Sequence, residues 1–194
     1  MPFEIRSCSD LSSFDLARFL NANNLSFNNL DWFSPNERFN EPGCFAAIED
    51  QQIKALLSAT PECPEVAWLR FFHAERDGEY ARYFKALFSE AKNLLLGLGA
   101  QSFFSLVPYD WLERLLRSEG FKPTDTIVTL QCNFSEVRHP KVDPELIIRQ
   151  MTSRDMAAVE AIDKAAFEPA WRLNRSSLVK TYHLSTWHSV AILE

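Results

Sequence analysis

Residues 66–84, "VAWLRFFHAERDGEYARYF", decide how the chain is read. The first nine residues carry only Arg70 and His73 as polar interruptions, which predicts a strand buried on both faces at the centre of a sheet. Glycine Gly78 follows, and then Tyr80, Phe84, Leu87, Phe88, Ala91, Leu94 and Leu95 recur at helical spacing over 79–96. A buried strand that turns over one glycine into a long amphipathic helix is either an ordinary strand-to-helix turn or a cradle for phosphate groups. Free amides and the dipole at a helix N-terminus favour an anion there.

Working outward, 44–50 ("CFAAIED") and 53–59 ("IKALLSA") form a hairpin, with "TPECPE" as the turn before the central strand. After the helix, Gly97 and Gly99 close it, and "SFFSLV" (102–107) is a strand ended by Pro108. A short helix over 111–121 and a strand "TIVTLQC" (126–132) complete the unit. The order is β, α, a second short α, then β, β, β, α, β, α, β. That predicts an α/β (α+β) fold: a mixed, mostly antiparallel central sheet with helices on both faces.

The opening of this pattern recurs. "FEIRSCSDLSSFDLARF" (3–19) and "LIIRQMTSRDMAAVEAID" (146–163) each place an Ile-Arg pair at the end of a strand. A Ser/Thr stretch, an aspartate (Asp10; Asp155) and a helix follow, with Ser9 and Thr152 or Ser153 as N-caps. Trp32 and Trp171 come after those helices, and "CFAAIED" has a counterpart in "HSVAILE" (188–194). The polar, proline-bearing stretch around 135–145 separates the two. The expected organisation is therefore one complete unit over 1–134, a linker over 135–145, and the opening of a second copy over 146–194. Two strands cannot cover their own apolar face. The second copy is expected to lean on the first unit, to pair with another chain as a homodimer, or to belong to a longer protein, the last being favoured.

Composition narrows the chemistry. With 194 residues, 46% hydrophobic and 13% aromatic, the chain can bury a full core, and sixteen Phe against five Gly points to an aromatic interior. A net charge of −6 argues against a nucleic-acid partner. The four cysteines are scattered and the four histidines offer no ligand spacing, so reduced packing thiols and no metal are expected. No apolar run reaches membrane-spanning length, and a cytoplasmic location is expected.

The order of elements, with "LGLGAQSFFSLV" after the long helix and "LERLLRSEGF" before the last strand, resembles the GCN5-related N-acetyltransferase (GNAT) family over residues 3–132. The resemblance implies acetyl transfer from acetyl-CoA to a small-molecule or peptide amine by direct attack on the thioester. The family's Q/R-x-x-G-x-G/A loop holds the cofactor pyrophosphate. Here it maps onto Glu75–Tyr80 or onto Arg76–Ala81, and neither placement satisfies all three positions. The implied cofactor contacts are Phe71, Phe72, Arg76, Asp77, Gly78, Glu79, Tyr80 and Ala81. The family's acid, a tyrosine before "GF", is replaced by Leu116, which leaves Tyr109 at the end of the fifth strand as the candidate acid. His73 and Glu75 are the candidate bases at the end of the central strand. Trp32 and Phe33, after the first helix, are the candidate acceptor contacts. The alternative function is a GNAT-fold domain that has lost its chemistry and serves a structural or regulatory role in a tandem protein. A scaffold that binds a protein through the edge at 188–194 is a third.

Overall fold

The computed structural model describes residues 2–22, 24–133 and 146–193. The linker expected over 135–145 lies outside the described residues. Eight strands and six α-helices are described: β1 (Glu4–Ser7), α1 (Ser13–Leu20), β2 (Leu25–Asn28), α2 (Pro35–Arg38), β3 (Cys44–Glu49), β4 (Gln52–Cys63), β5 (Val66–Ala74), α3 (Tyr80–Gly97), β6 (Ser102–Phe104), α4 (Asp110–Ser118), β7 (Leu146–Gln150), α5 (Met156–Ala166), α6 (Arg175–Leu184) and β8 (Ser189–Leu193).

The expected central strand is β5, all nine residues of which are buried. The main sheet runs β1-β3-β4-β5, antiparallel throughout, and β6 joins β5 in parallel along Val66–Trp68. This is the mixed, mostly antiparallel sheet that the sequence predicts. One face carries Leu57, Leu69, Phe72 and Ala74 against Phe84, Leu87, Phe88 and Leu95 of α3 and Leu112, Leu115 and Leu116 of α4. Leu116, at the position of the family's tyrosine, is a core residue. The other face carries Cys44, Ala46, Leu56 and Phe71 against Leu16 and Phe19 of α1 and Phe39 after α2.

Two β-bulges set which side chains face where. Ser58 pairs with Phe71 but Ala59 pairs with Leu69, so Arg70 is the extra residue on β5. Pro61 pairs with Ala67 and Cys63 with Val66, so Glu62 is the extra residue on β4. A bulge re-aims one side chain without losing the alternation on either side. Ala67 and Leu69 before Arg70, and Phe72 and Ala74 after it, therefore all join the α3 face. The two re-aimed residues meet as an ion pair, with side chains 6% and 3% exposed.

Three elements differ from the expectation. Strand β4 continues through the stretch read as a turn and ends at Cys63, because the bulge at Glu62 absorbs the irregularity. Residues 126–132 form no strand, and Val128 and Leu130 are 71% and 87% exposed. Their β-branched composition is right, but no neighbouring strand among the described residues supplies a ladder. The third difference is β2, which the sequence reading did not contain. It pairs antiparallel with β5, Leu25 opposite Ala74 through Asn28 opposite Phe71.

In the carboxy-terminal part, β7 and β8 form a separate antiparallel pair. Its register repeats that of β1 and β3: Ile5 faces Ala47 and Arg6 faces Ala46, while Ile148 faces Ala191 and Arg149 faces Val190. Each first strand leads through a 3-10 turn into a helix. The segment after α5 leans on the first unit. Trp68 Nε1 donates to the Ala170 carbonyl at 2.9 Å, the Trp68 and Trp171 rings lie 5.5 Å apart, and Asn174 Nδ2 donates to Glu62 Oε2 at 2.6 Å. Lys180 of α6 pairs with Glu37 of α2 and sits 4.3 Å over the Phe33 ring.

Candidate functional site

The resemblance implies a cofactor notch where the two parallel central strands part. Here β5 and β6 pair only from Val66–Ser102 to Trp68–Phe104, after which their ladder ends. The edge of β5 that is then released, Phe71 to Ala74, is taken by β2. The Asn29 amide extends the contact by donating to the Arg70 carbonyl at the bulge, at 2.6 Å.

Strand β2 is fastened by its side chains as well. Phe27 is 1% exposed within the α3-side core. Asn28 Oδ1 lies 2.9 Å from His73 Nε2. Beyond the strand, Arg70 Nη1 donates to Asp31 Oδ2 at 2.5 Å and to the Asn29 carbonyl at 3.4 Å. These contacts bury groups that a surface loop would leave in water, although His73 Nδ1 stays buried without a partner.

The loop after β5 places Gly78 at φ 87°, in the left-handed region that glycine enters without cost. Asp77 Oδ1 accepts from the Glu79 amide at 2.9 Å. Glu79 caps α3 and also accepts from Arg82 Nη1 at 3.3 Å. The start of α3 thus already has one amide held by a carboxylate of its own chain, where a diphosphate would need open amides. Tyr80, at the start of α3, contacts Trp111 edge-on at 6.4 Å, and Ala81 follows it. Arg76 turns away, with Nη2 donating to the Asn24 carbonyl at 3.4 Å.

These residues do not fit acetyl-CoA as the resemblance implies. The main-chain edge of Phe71 and Phe72 is hydrogen-bonded to β2 on one side and β4 on the other, and both rings are fully buried, on opposite faces. The Glu79 amide is engaged by the Asp77 carboxylate, a negative group beside any phosphate placed there.

The remaining candidates fall into separate places. Tyr109 is 48% exposed and stacks on Trp111 at 5.9 Å, which brings it into one aromatic cluster with Tyr80. Glu75 is paired with Lys54 at 2.9 Å. Trp32 is exposed, while Phe33 lies in the seam with α6, under Arg38 at 4.0 Å and Lys180. Sequence reasoning missed Arg70, Glu62 and Asn28. The first two acquire their partners only through the bulges, and Asn28 only through β2.

His73 is 5% exposed, and burial pushes its pKa down to about 4. In the unfolded chain it takes up a proton near pH ~6.5, whereas the fold resists that proton to about pH 4. Its contribution is therefore intact above about pH 6.5 and is lost as the pH falls towards about 4, by about 3 kcal/mol in all. Urea midpoints of the wild type and His73→Gln should converge as the pH is lowered from about 7 to about 4.5. Parallel pH curves for the two proteins contradict this.

Among the described residues no group of His, Cys, Asp and Glu could hold a metal ion, and no helix is long and apolar enough to cross a membrane. No family model matches the sequence, and no curated protein does. Solved structures do. An aminoglycoside 6'-N-acetyltransferase, AAC(6')-Ih from Acinetobacter baumannii, is similar at 18% identity over 69% of this chain and 99% of its own, with a TM-score of 0.49. TTHA1254 from Thermus thermophilus is similar at 16% identity over 67% and 97%, with a TM-score of 0.46. The aminoglycoside N-acetyltransferase AAC(6')-Iy, solved in complex with CoA, is similar at 12% identity over 68% and 99%, with a TM-score of 0.46.

Proposed function

We propose that residues 2–133 are the non-catalytic half of an acetyltransferase-type tandem protein. The unit keeps a GNAT-like sheet, closes its own acyl-CoA notch with β2, and offers the surface around Trp68, Glu62 and Glu37 as a platform for a second unit that begins at β7. One observation carries this reading: β2 is hydrogen-bonded along Phe71–Ala74, the edge an acyl donor would need. The shared register of the β1–β3 and β7–β8 pairs supports the tandem organisation. The first unit then supports the second and carries no acetyl transfer itself.

Direct acetyl transfer by the first unit is the second reading. The early end of the β5–β6 ladder favours it, because the two strands stop pairing where the family's notch begins. It requires β2 to leave its place.

Calorimetric titration of the full chain with acetyl-CoA separates the two readings. The first predicts no saturable heat up to about 1 mM cofactor, and a Kd of about 10 μM or tighter overturns it.

A further inference from the structure

Arg70 stands between the two segments on which the proposed function rests. Its guanidinium is nearly fully buried and forked. Nη1 holds the exit of β2 through Asp31 and the Asn29 carbonyl. Nε donates to Thr60 Oγ1 at 3.3 Å, and Nη2 donates to Glu62 Oε1. The other oxygen of Glu62 accepts from Asn174, just ahead of α6. The Arg70 Cζ also lies 5.7 Å from the Trp68 ring, the ring that the Ala170 carbonyl and Trp171 cover. One planar, rigid cation thus holds the exit of β2 directly and reaches the docked carboxy-terminal segment through Glu62 and Trp68.

We propose that docking of residues 169–180 holds β2 in the notch through this shared arginine, so that undocking loosens β2. The physical step is the solvation of Glu62. With Asn174 and Trp171 in place, the Glu62 side chain is nearly dry, and its charge is balanced by Arg70 in a fixed geometry. When the segment withdraws, water reaches Glu62 and the Trp68 side of the guanidinium. The pair then becomes an ordinary solvated ion pair, worth little and free to move. Asp31 and the Asn29 carbonyl lose the rigid donor that held them. A shared partner couples the two segments reciprocally, so loosening β2 must also weaken docking. The inference rests on the reading of β2 as the strand that closes the notch, and it names what regulates that closure.

Hydrogen exchange read by mass spectrometry on the full chain tests it. Trp171→Ala combined with Asn174→Ala should raise exchange at residues 25–29 by at least about tenfold relative to α3, together with that of 169–180. Asp31→Ala should, by reciprocity, speed exchange at 169–180 relative to α3. Faster exchange confined to 169–180 in the double variant overturns the coupling, and so does an equal rise across β2 and α3. Titrating the double variant with acetyl-CoA keeps the two proposals distinguishable. Cofactor binding gained with a loosened β2 supports the coupling and removes the non-catalytic reading. A loosened β2 without binding leaves both in place.

Discussion

Replacing Gly43 with alanine is expected to cost about 4 kcal/mol or more, since of the glycines it alone meets backbone closer than van der Waals contact. A Cβ built on Gly43 falls 1.8 Å from the Ala59 carbonyl oxygen and 3.0 Å from its carbon. Both obstacles are backbone, and the same strands are tied there by the Ala59 amide donating to the Gly43 carbonyl at 3.0 Å. A flexible side chain could swing aside, but here β4 itself must separate from the start of β3. That displaces Cys44 and Ser58, the first pair of the β3–β4 ladder, and strains Leu56 and Ala46 in the core behind them. Overpacking a core by a methylene costs ~1–3 kcal/mol when side chains can adjust, and this site cannot adjust. The denaturant midpoint measures the loss, and a drop below about 1 kcal/mol shows that the two backbones do not approach as described.

The second large effect belongs to Arg70. Arg70→Ala is expected to lose about 3–5 kcal/mol, most of it from the Glu62 carboxylate left buried without its cation. Asp31, with its side chain 38% exposed, can turn to water, whereas Glu62, at 3%, cannot while residues 169–180 cover it. The double variant Arg70→Leu, Glu62→Leu should therefore recover much of the loss, because no charge is then stranded. Arg70 Nη1 also holds Asp31 and the Asn29 carbonyl at the exit of β2, so part of the deficit comes from β2. A double-mutant cycle built from these proteins should give a coupling above about 2 kcal/mol. Strictly additive losses contradict a pair that is dry and mutually dependent.

Both effects turn on contacts between segments, and this is where the sequence was least informative. The seven apolar residues of β5 and the repeat Phe84, Leu87, Phe88, Ala91, Leu95 announce themselves, since their burial follows from local periodicity alone. The Ile-Arg strands β1 and β7 were legible for the same reason, and each pairs with its following strand in the same register. Strand β2 left no such mark. "LSFN" offers one large apolar residue, Phe27, between asparagine-rich flanks that read as loop. Its ladder is supplied wholly by the edge of β5. Residues 126–132 are the converse, strand-like in composition yet without a partner. In the candidate site, Gly78 precedes α3 where the sequence places it, and its left-handed φ is what demands glycine. What neither placement of the loop motif revealed is that Asp77 reaches the Glu79 amide.

The central claim is that the chain's own strand occupies the edge of β5 beside the end of the β5–β6 ladder. Nuclear Overhauser contacts across that ladder test it most directly. Backbone protons of Leu25 and Phe27 should show contacts to those of Ala74 and Phe72, and the paired amides of Phe71–Ala74 should exchange slowly. Absence of those contacts, with rapid exchange along Phe71–Ala74 in an otherwise folded protein, would contradict the account and leave the notch open for a cofactor.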